Sequence, residues 1–132
     1  MSTRTMLKSK IHRARVTDCN IDYEGSVTID SNLLKAADIL PYERVEILNV
    51  HNGARFSTYA LEGMPSSGDI CLNGAAARLA SRGDIVIILT YHEVSHDQAP
   101  HVKPRMVYVD ERNRIKSTKN ADAWMNDLVA AK

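Results

Sequence analysis

The residues whose chemistry could define this chain are Gly25 and Ser26, which lie in the segment YEGSVTID at residues 23–30. A serine hydroxyl can attack the carbonyl of a preceding glycine when their peptide is strained, which converts the amide into an ester. Elimination across the serine then breaks the chain, and the dehydroalanine that remains hydrolyses to a pyruvoyl group. The alternative interpretation is an ordinary turn that leads into a strand. These two residues alone leave both interpretations open.

The composition is that of an ordinary globular domain. The chain has 132 residues, of which 44% are hydrophobic and 25% charged, and this length predicts a single domain. The formal net charge of +1 gives no indication of a nucleic acid or an anionic membrane as partner. The apolar run at residues 85–89 is too short to cross a bilayer, and the first residues lack the hydrophobic region of a signal peptide. We therefore expect a cytoplasmic protein without nucleic-acid or membrane partners.

The sequence offers only a weak case for a metal. His92 and His96 fit the zinc motif HExxH, which requires a helix to bring both imidazoles to one ion. Here the motif continues an apolar strand, and residues four apart in a strand are about 13 Å from each other. Cys19 and Cys71 are isolated, so we expect reduced thiols rather than a disulfide framework or a zinc site. No metal is predicted.

The hydrophobic pattern predicts many short strands and two or three short helices. Strands are expected at residues 5–16, 26–29, 44–50, 54–60, 69–72, 84–91 and 102–109. Helices are expected at residues 31–39, with Asp30 as N-cap, at 75–80, and in the tail from Lys116 with Trp124, Leu128 and Val129. This pattern favours a small, mainly β barrel over a doubly wound α/β sheet.

Several local features carry more specific expectations. Alternation from Met6 places Lys8, Lys10, His12 and Ala14 on one face of the first strand, with Leu7, Ile11 and Arg13 on the other. Residues 17–20 and 110–113 read as polar turns, and Asn52 with Gly53 as a type I′ hairpin turn. The strand at 84–91 is expected at the centre of the sheet, whereas Pro104 favours an edge position for 102–109.

Five segments together carry a family resemblance, in the family's order and spacing. They are MLKSKIHRARVT (6–17), YEGSVTID (23–30), NVHNGARFSTYA (49–60), LNGAAARLASRGDIVII (72–88) and the weaker PRMVYVDERN (104–113). The chain resembles the pyruvoyl-dependent aspartate decarboxylases, which make β-alanine for pantothenate, over roughly residues 6–115. It departs at Leu48, where some members carry an aromatic residue, and His92–His96 falls in a variable stretch. The segment from about Lys116 has no clear family pattern.

The resemblance implies an architecture and a maturation pathway. It implies a double-psi β-barrel with short helices at residues 1–115, while the tail at 116–132, which lies outside the resemblance, is expected to be helical or disordered. It also implies a homotetramer with active sites between subunits, and self-cleavage between Gly25 and Ser26. Whether an accessory maturation factor speeds the cleavage is left open.

The resemblance also assigns catalytic roles. Ser26 becomes the pyruvoyl group, a covalent cofactor that forms a Schiff base with L-aspartate and accepts the electron pair released with CO₂. Tyr59 is the proton donor, since a tyrosine ordinarily stays protonated at neutral pH. Thr58 contacts the substrate and stabilises the oxyanion of the acyl shift.

The remaining site residues are expected to bind the substrate or support the processing turn. Backbone N–H groups at a helix start suit a carboxylate. The cations Lys10 and Arg55 are placed near the two carboxylates of aspartate. Arg55 and Tyr59 lie four apart on one strand and therefore face the same side. The substrate-binding N–H groups are those of Gly74, Ala75 and Ala76, and the supporting residues are Gly25, Tyr23, His12 and Asn73.

The competing class is a non-catalytic binding module, a small β-barrel with a transcription-regulator or chaperone-like role. Such barrels occur without catalysis, so the fold alone does not separate the two classes. A binding module has no use for a cleavable bond between Gly25 and Ser26, and it would persist as one intact chain. The combination of Gly25 and Ser26 with Thr58 and Tyr59 favours the enzyme.

Overall fold

The computed structural model describes residues 2–119, which form mainly strands with a few short helices. The strands are β1 (Thr3–Arg15), β2 (Asp18–Asn20), β3 (Ser26–Asp30), β4 (Arg44–Asn49), β5 (Arg55–Gly63), β6 (Ile70–Asn73), β7 (Ile85–Ser95), β8 (Arg105–Val109) and β9 (Ile115–Lys119). The helices are α1 (Ser31–Ala37) and two 3₁₀ helices, Gly74–Leu79 and Ala99–His101. The predicted mainly β class is confirmed.

The strands of the described chain form one mixed sheet in the order β2-β6-β3-β5-β4-β7-β1-β8-β9. The predicted central strand is confirmed, because β7 pairs antiparallel with both β4 and β1. Three pairs are parallel, namely β1 with β8, β2 with β6, and β3 with β5. This order is consistent with a small barrel, and its closure as a double-psi barrel stays a prediction.

The core is a layer of aliphatic side chains on the inner face of the sheet. Ile11, Ile88 and Ile47 lie opposite one another on β1, β7 and β4, and all three are fully buried. Leu33, Leu34 and Ala37 on α1 are buried in the same cluster. Burying one such Leu or Ile side chain contributes about 1.5–3 kcal/mol of stability, so this layer determines which face of each strand points into the core.

The predicted N-cap of α1 is confirmed, and the same side chain ties down a distant loop. Asp30 Oδ1 accepts from Asn32 N at 2.8 Å and from Ser66 N at 3.2 Å, while Oδ2 accepts from Gly68 N at 2.9 Å. The helix ends at Ala37 rather than near Ile39 because Asp38 adopts the left-handed conformation of a C-cap.

The predicted alternation of the first strand fails beyond His12. The pairing of β1 with β7 shifts register between Ile11 and Ala14, and Arg13 has a φ of 62°. The shift sets two residues of β1 opposite one residue of β7, which is a β-bulge. Arg13 is therefore exposed, and Ala14 is fully buried like Ile11 instead of lying on the face of Lys10. The prediction that Ala14 lies on the same face of β1 as Lys10 is therefore wrong.

Two strand assignments also differ from the sequence expectation. Residues 18–20 were expected to be a turn but form β2, which pairs in parallel with β6. The strand after Pro104 is not at an edge, since β8 lies between β1 and β9. Because β8 begins at Arg105, the missing N–H of Pro104 lies outside the ladder and removes no hydrogen bond from it.

The predicted hairpin between β4 and β5 is confirmed, but its turn is not type I′. Gly53 has a φ of 75°, whereas Asn52 does not adopt positive φ, and residues 50–54 connect the two strands. Asn52 Oδ1 accepts from Ala54 N at 2.8 Å, and Gly53 N donates to Asn49 O at 2.9 Å. These bonds stabilise a longer loop in which one residue, not two, needs positive φ.

The chain beyond Ile115 only partly overlaps the described residues. Residues 116–119 belong to β9, which pairs with β8, so the tail helix predicted from Lys116 is wrong for these residues. Trp124, Leu128 and Val129 lie outside the described residues. The division at residue 115 stays a prediction. Among residues 2–119, no helix is long and apolar enough to cross a membrane.

The Asp30 contacts generate a stability prediction. Asp30→Ala removes two oxygens that accept three backbone N–H bonds, one of them the cap of α1, so it should lower the free energy of unfolding by about 2–4 kcal/mol. Asp30→Asn keeps an oxygen for Asn32 and Ser66 but presents an N–H to Gly68. Its free energy of unfolding should therefore lie between those of wild type and Asp30→Ala. Chemical denaturation measures all three proteins. Equal stability of Asp30→Ala and wild type would contradict this role.

Candidate active site

Ser26 occupies a strained position at the start of β3. Its φ is 138°, a conformation that residues other than glycine rarely adopt, and its side chain is 0% exposed. Backbone strain of this kind costs about 1–3 kcal/mol and persists only where the surrounding structure holds it. The strain lies on the serine side of the Gly25–Ser26 peptide. A Cβ on Gly25 would meet nothing within 4 Å.

Asn73 fixes the hydroxyl of Ser26. The antiparallel register of β3 and β6 places Asn73 opposite Ser26, and Asn73 Nδ2 donates to Ser26 Oγ at 3.0 Å. The same nitrogen donates to Thr28 Oγ1 at 3.3 Å. A serine oxygen has one hydrogen and two lone pairs, so this arrangement occupies one lone pair and leaves the hydroxyl proton available for transfer.

Gly74 allows the next segment to pack directly on the Gly25 backbone. It has a φ of 63°, and a Cβ there would lie 2.8 Å from both the N and the Cα of Gly25 and 2.9 Å from Tyr23 O. Only a glycine fits this approach without displacing the segment. Tyr23 contributes its carbonyl oxygen to this contact, and the residue as a whole is 65% exposed.

Gly74, Ala75 and Ala76 begin the 3₁₀ helix Gly74–Leu79, with Asn73 at the N-cap position. The helix expected at 75–80 is therefore present as a 3₁₀ helix that starts one residue earlier. The first N–H groups of such a helix have no acceptor within it, so they can bind a carboxylate. They lie immediately after the residue that holds Ser26.

The register of β5 sets Tyr59 near the start of β3. Val27 pairs with Ala60 in the parallel register of β3 and β5, which sets Tyr59 at the level of Ser26. Tyr59 is 38% exposed and shares the exposed face of β5 with Arg55 and Ser57, as predicted. Thr58 is half-buried and projects from the opposite face of the strand.

The predicted cations lie elsewhere in the sheet order or along the strand. Arg55 lies four residues along β5 from Tyr59, about 13 Å of strand, and its Nε is 4.0 Å from Glu46 Oε1. Lys10 and His12 lie on β1, which is separated from β3 in the sheet order by β7, β4 and β5. Strand pairing among residues 2–119 therefore joins Asn73 to Ser26 and sets Tyr59 at the same level, and it aligns none of the three basic residues with Ser26.

His12 has an unusual environment of its own. Its ring meets the Tyr108 ring edge-on at 5.7 Å between centroids, and its Nδ1 is buried without a hydrogen-bond partner among the described residues. Burial lowers the pKa of His12, and the charges of Lys10 and Arg13 lower it further. The imidazole is therefore biased toward its neutral form near pH 7.

Sequence analysis did not single out Thr28. The signal available for it is its spacing, because positions 26 and 28 of a strand share one face. Its contact with Asn73 depends on the register of β6, which no local pattern specifies.

The metal motif is not assembled. His92 to Ser95 form the end of β7, so the extended chain keeps the two imidazoles of HExxH apart. Within residues 2–119, no three His, Cys, Asp or Glu side chains come close enough to hold a metal ion. Cys19 and Cys71 are free thiols, as predicted, and burial raises the pKa of both.

Comparison with known proteins agrees with this geometry. The family model described as aspartate decarboxylase matches residues 1–116. The chain is 59% identical over 125 residues to the aspartate 1-decarboxylase of Syntrophotalea carbinolica, covering 95% of each chain. It is 58% identical over 111 residues to that of Thermoanaerobacter pseudethanolicus, covering 84% of this chain and 95% of the relative. The chain therefore belongs to the aspartate decarboxylase family.

Proposed function

We propose that the chain cuts itself between Gly25 and Ser26 and then converts L-aspartate to β-alanine and CO₂, supplying β-alanine for pantothenate synthesis. The observation that carries this proposal is the Ser26 hydroxyl, which is buried at a strained backbone position and receives a hydrogen bond from Asn73. The substrate follows from the relatives, whose name is aspartate 1-decarboxylase. The geometry of Ser26 and the names of the relatives both support a lyase rather than a binding module.

Self-cleavage begins with Ser26 Oγ attacking the carbonyl carbon of Gly25. The C–N bond breaks, an ester forms, and the hydroxyl proton passes to the released amine of Ser26. Loss of the Ser26 Cα proton then expels the Gly25 carboxylate and leaves dehydroalanine, whose imine form reacts with water to release ammonia. Strain at Ser26 favours the first step because breaking the peptide relieves it.

The surrounding residues prepare this attack. Asn73 fixes the position of Ser26 Oγ, so less orientational freedom is lost on reaching the reactive geometry. Gly74 lets its helix approach the Gly25 backbone closely and confines it. We assign stabilisation of the developing oxyanion to Thr58, on the resemblance, since a hydroxyl is a suitable donor to a charge that forms only in the transition state.

The same residues fit a pyruvoyl group formed from Ser26. Once formed, that group supplies an electron sink for the bond to the departing carboxylate. Tyr59 then donates its Oη proton to the carbon that has lost CO₂, and its position at the level of Ser26 supports this role. The N–H groups of Gly74, Ala75 and Ala76 bind a substrate carboxylate at the start of their helix.

The basic residues complete the site from a neighbouring subunit. Lys10 and His12 lie on β1, which three strands separate from β3 in the sheet order, and Arg55 lies along β5 from Tyr59. We therefore place all three across a subunit boundary in a homotetramer, with the two carboxylates of aspartate as the targets of Lys10 and Arg55. In this arrangement the neutral imidazole favoured by burial lets His12 accept a proton or a hydrogen bond.

The first test of the proposal is the mass of the purified protein. Wild type should give two chains, residues 1–25 and 26–132, with the second lacking a free amino terminus. Ser26→Ala has no hydroxyl and should remain whole and inactive, whereas Ser26→Cys can still cleave because a thiol makes the same shift. A single unmodified wild-type mass, even after prolonged incubation with cell extract, would instead identify a binding module.

Gly74 provides a second test with a matched control. Gly74→Ala and Gly53→Ala each force an alanine to positive φ, which costs about 1–2 kcal/mol. Only the Cβ at residue 74 would collide with Gly25, since a Cβ at Gly53 meets nothing within 4 Å. Gly74→Ala should therefore cleave at least tenfold more slowly than Gly53→Ala at comparable thermal stability. Equal cleavage rates would remove Gly74 from the processing machinery.

Tyr59→Phe separates formation of the cofactor from its use. The substitution removes one oxygen, and proton donation enters only after CO₂ has left, so the variant should cleave normally. It should make β-alanine about 10²–10⁴-fold more slowly. Tyr42→Phe, on a more exposed ring, serves as the control and should match wild type in both assays. Near-normal turnover of Tyr59→Phe would assign the proton to another donor.

A further inference from the structure

Thr28 is connected to the reactive serine through one shared partner. It follows Ser26 by two residues on β3, so both hydroxyls lie on the same face of the strand. Asn73 Nδ2 donates to both, at 3.0 Å to Ser26 Oγ and 3.3 Å to Thr28 Oγ1. The two acceptors use both hydrogens of the Asn73 amide nitrogen.

Hydrogen bonds to two acceptors fix the orientation of the Asn73 amide, whereas a single hydrogen bond would not. The terminal torsion of an asparagine is broad, so a single hydrogen bond leaves the amide plane free to rock about it. Asn73 is only 6% exposed, which leaves little room for water to take over a lost contact. The Thr28 hydroxyl therefore limits how far Asn73 can turn away from Ser26.

Thr28 is itself held in place. A β-branched side chain has few accessible χ1 rotamers, and its methyl group packs over Gly63. A Cβ on Gly63 would lie 3.3 Å from Thr28 Cγ2, so the absence of a side chain there makes room for the methyl group. With the methyl group on this side, the hydroxyl is directed toward Asn73.

We propose that Thr28 is a positioning residue for self-cleavage, because its hydroxyl holds the Asn73 amide in the orientation that donates to Ser26 Oγ. This inference rests on the proposed function, since it presupposes attack by Ser26 on Gly25. Thr28 acts through Asn73 and does not touch the reacting atoms. Its removal leaves the reaction possible but makes the reactive orientation of Ser26 less populated.

The test compares two substitutions, one of which removes the hydroxyl of Thr28 and the other its methyl group. Thr28→Val keeps the shape and loses the acceptor, whereas Thr28→Ser keeps the hydroxyl and loses the methyl group. Cleavage of freshly purified precursor is followed by mass, with thermal unfolding of each uncut protein as the measure of fold. Thr28→Val should cleave about five- to tenfold more slowly, as expected for one lost hydrogen bond. Thr28→Ser should stay within about twofold of wild type, since it keeps that bond.

A double-mutant cycle shows whether the effect passes through Asn73. In an Asn73→Ala background, Thr28→Val should cause no further slowing, because the amide that it orients is gone. Thr28→Ala replaces Thr28→Val in the comparison if the latter fails to fold. A Thr28→Val rate equal to wild type, a Thr28→Ser variant as slow as Thr28→Val, or additive effects in the Asn73→Ala background would each overturn the proposal. Failure of wild type itself to cleave would instead overturn the proposed function.

Discussion

The contact on which this site depends is the hydrogen bond from Asn73 to Ser26 across the β3–β6 pair. It joins the strained first residue of one strand to the last residue of another, so it exists only in the observed register. The buried residues Val27, Ile29 and Leu72 hold that register on the core side. Strain at Ser26 is thus maintained by packing that lies outside the reacting groups.

A strained peptide must also be confined on its other side. The close approach of Gly74 to the Gly25 backbone fulfils this condition without any side chain. The Gly25–Ser26 segment and the junction of β6 with its helix therefore restrict each other. The Ser26 conformation depends on pairing with β6, and the path of the chain from β6 into the helix depends on the space beside Gly25. Complete burial of Ser26 keeps competing water away from the hydroxyl and strengthens its hydrogen bond.

Local signals in the sequence were sufficient for some features and insufficient for others. Asp30 was recognised as an N-cap because capping involves neighbours only, and the apolar run after Asp84 marked a central strand. The strand at Asp18 and the bulge at Arg13 were missed because both arise from pairing with distant strands. At the candidate site, the family resemblance pointed to Ser26 and Asn73, whose roles stay predictions. The φ of Ser26 and the contact of Thr28 depend on register and could not be read from the sequence.

The positions of the site residues suggest a division between the two proposed tasks. Three groups assigned to self-cleavage, Ser26, Asn73 and Gly74, are buried and come together within one chain, and Ser26 and Gly74 are used again for aspartate. Tyr59 and Lys10, which are assigned to aspartate alone, are more accessible or lie elsewhere in the sheet order. A reaction performed once can occur in a closed environment, because nothing has to enter or leave except water and ammonia. Repeated turnover needs an accessible surface, in keeping with the greater exposure of Tyr59.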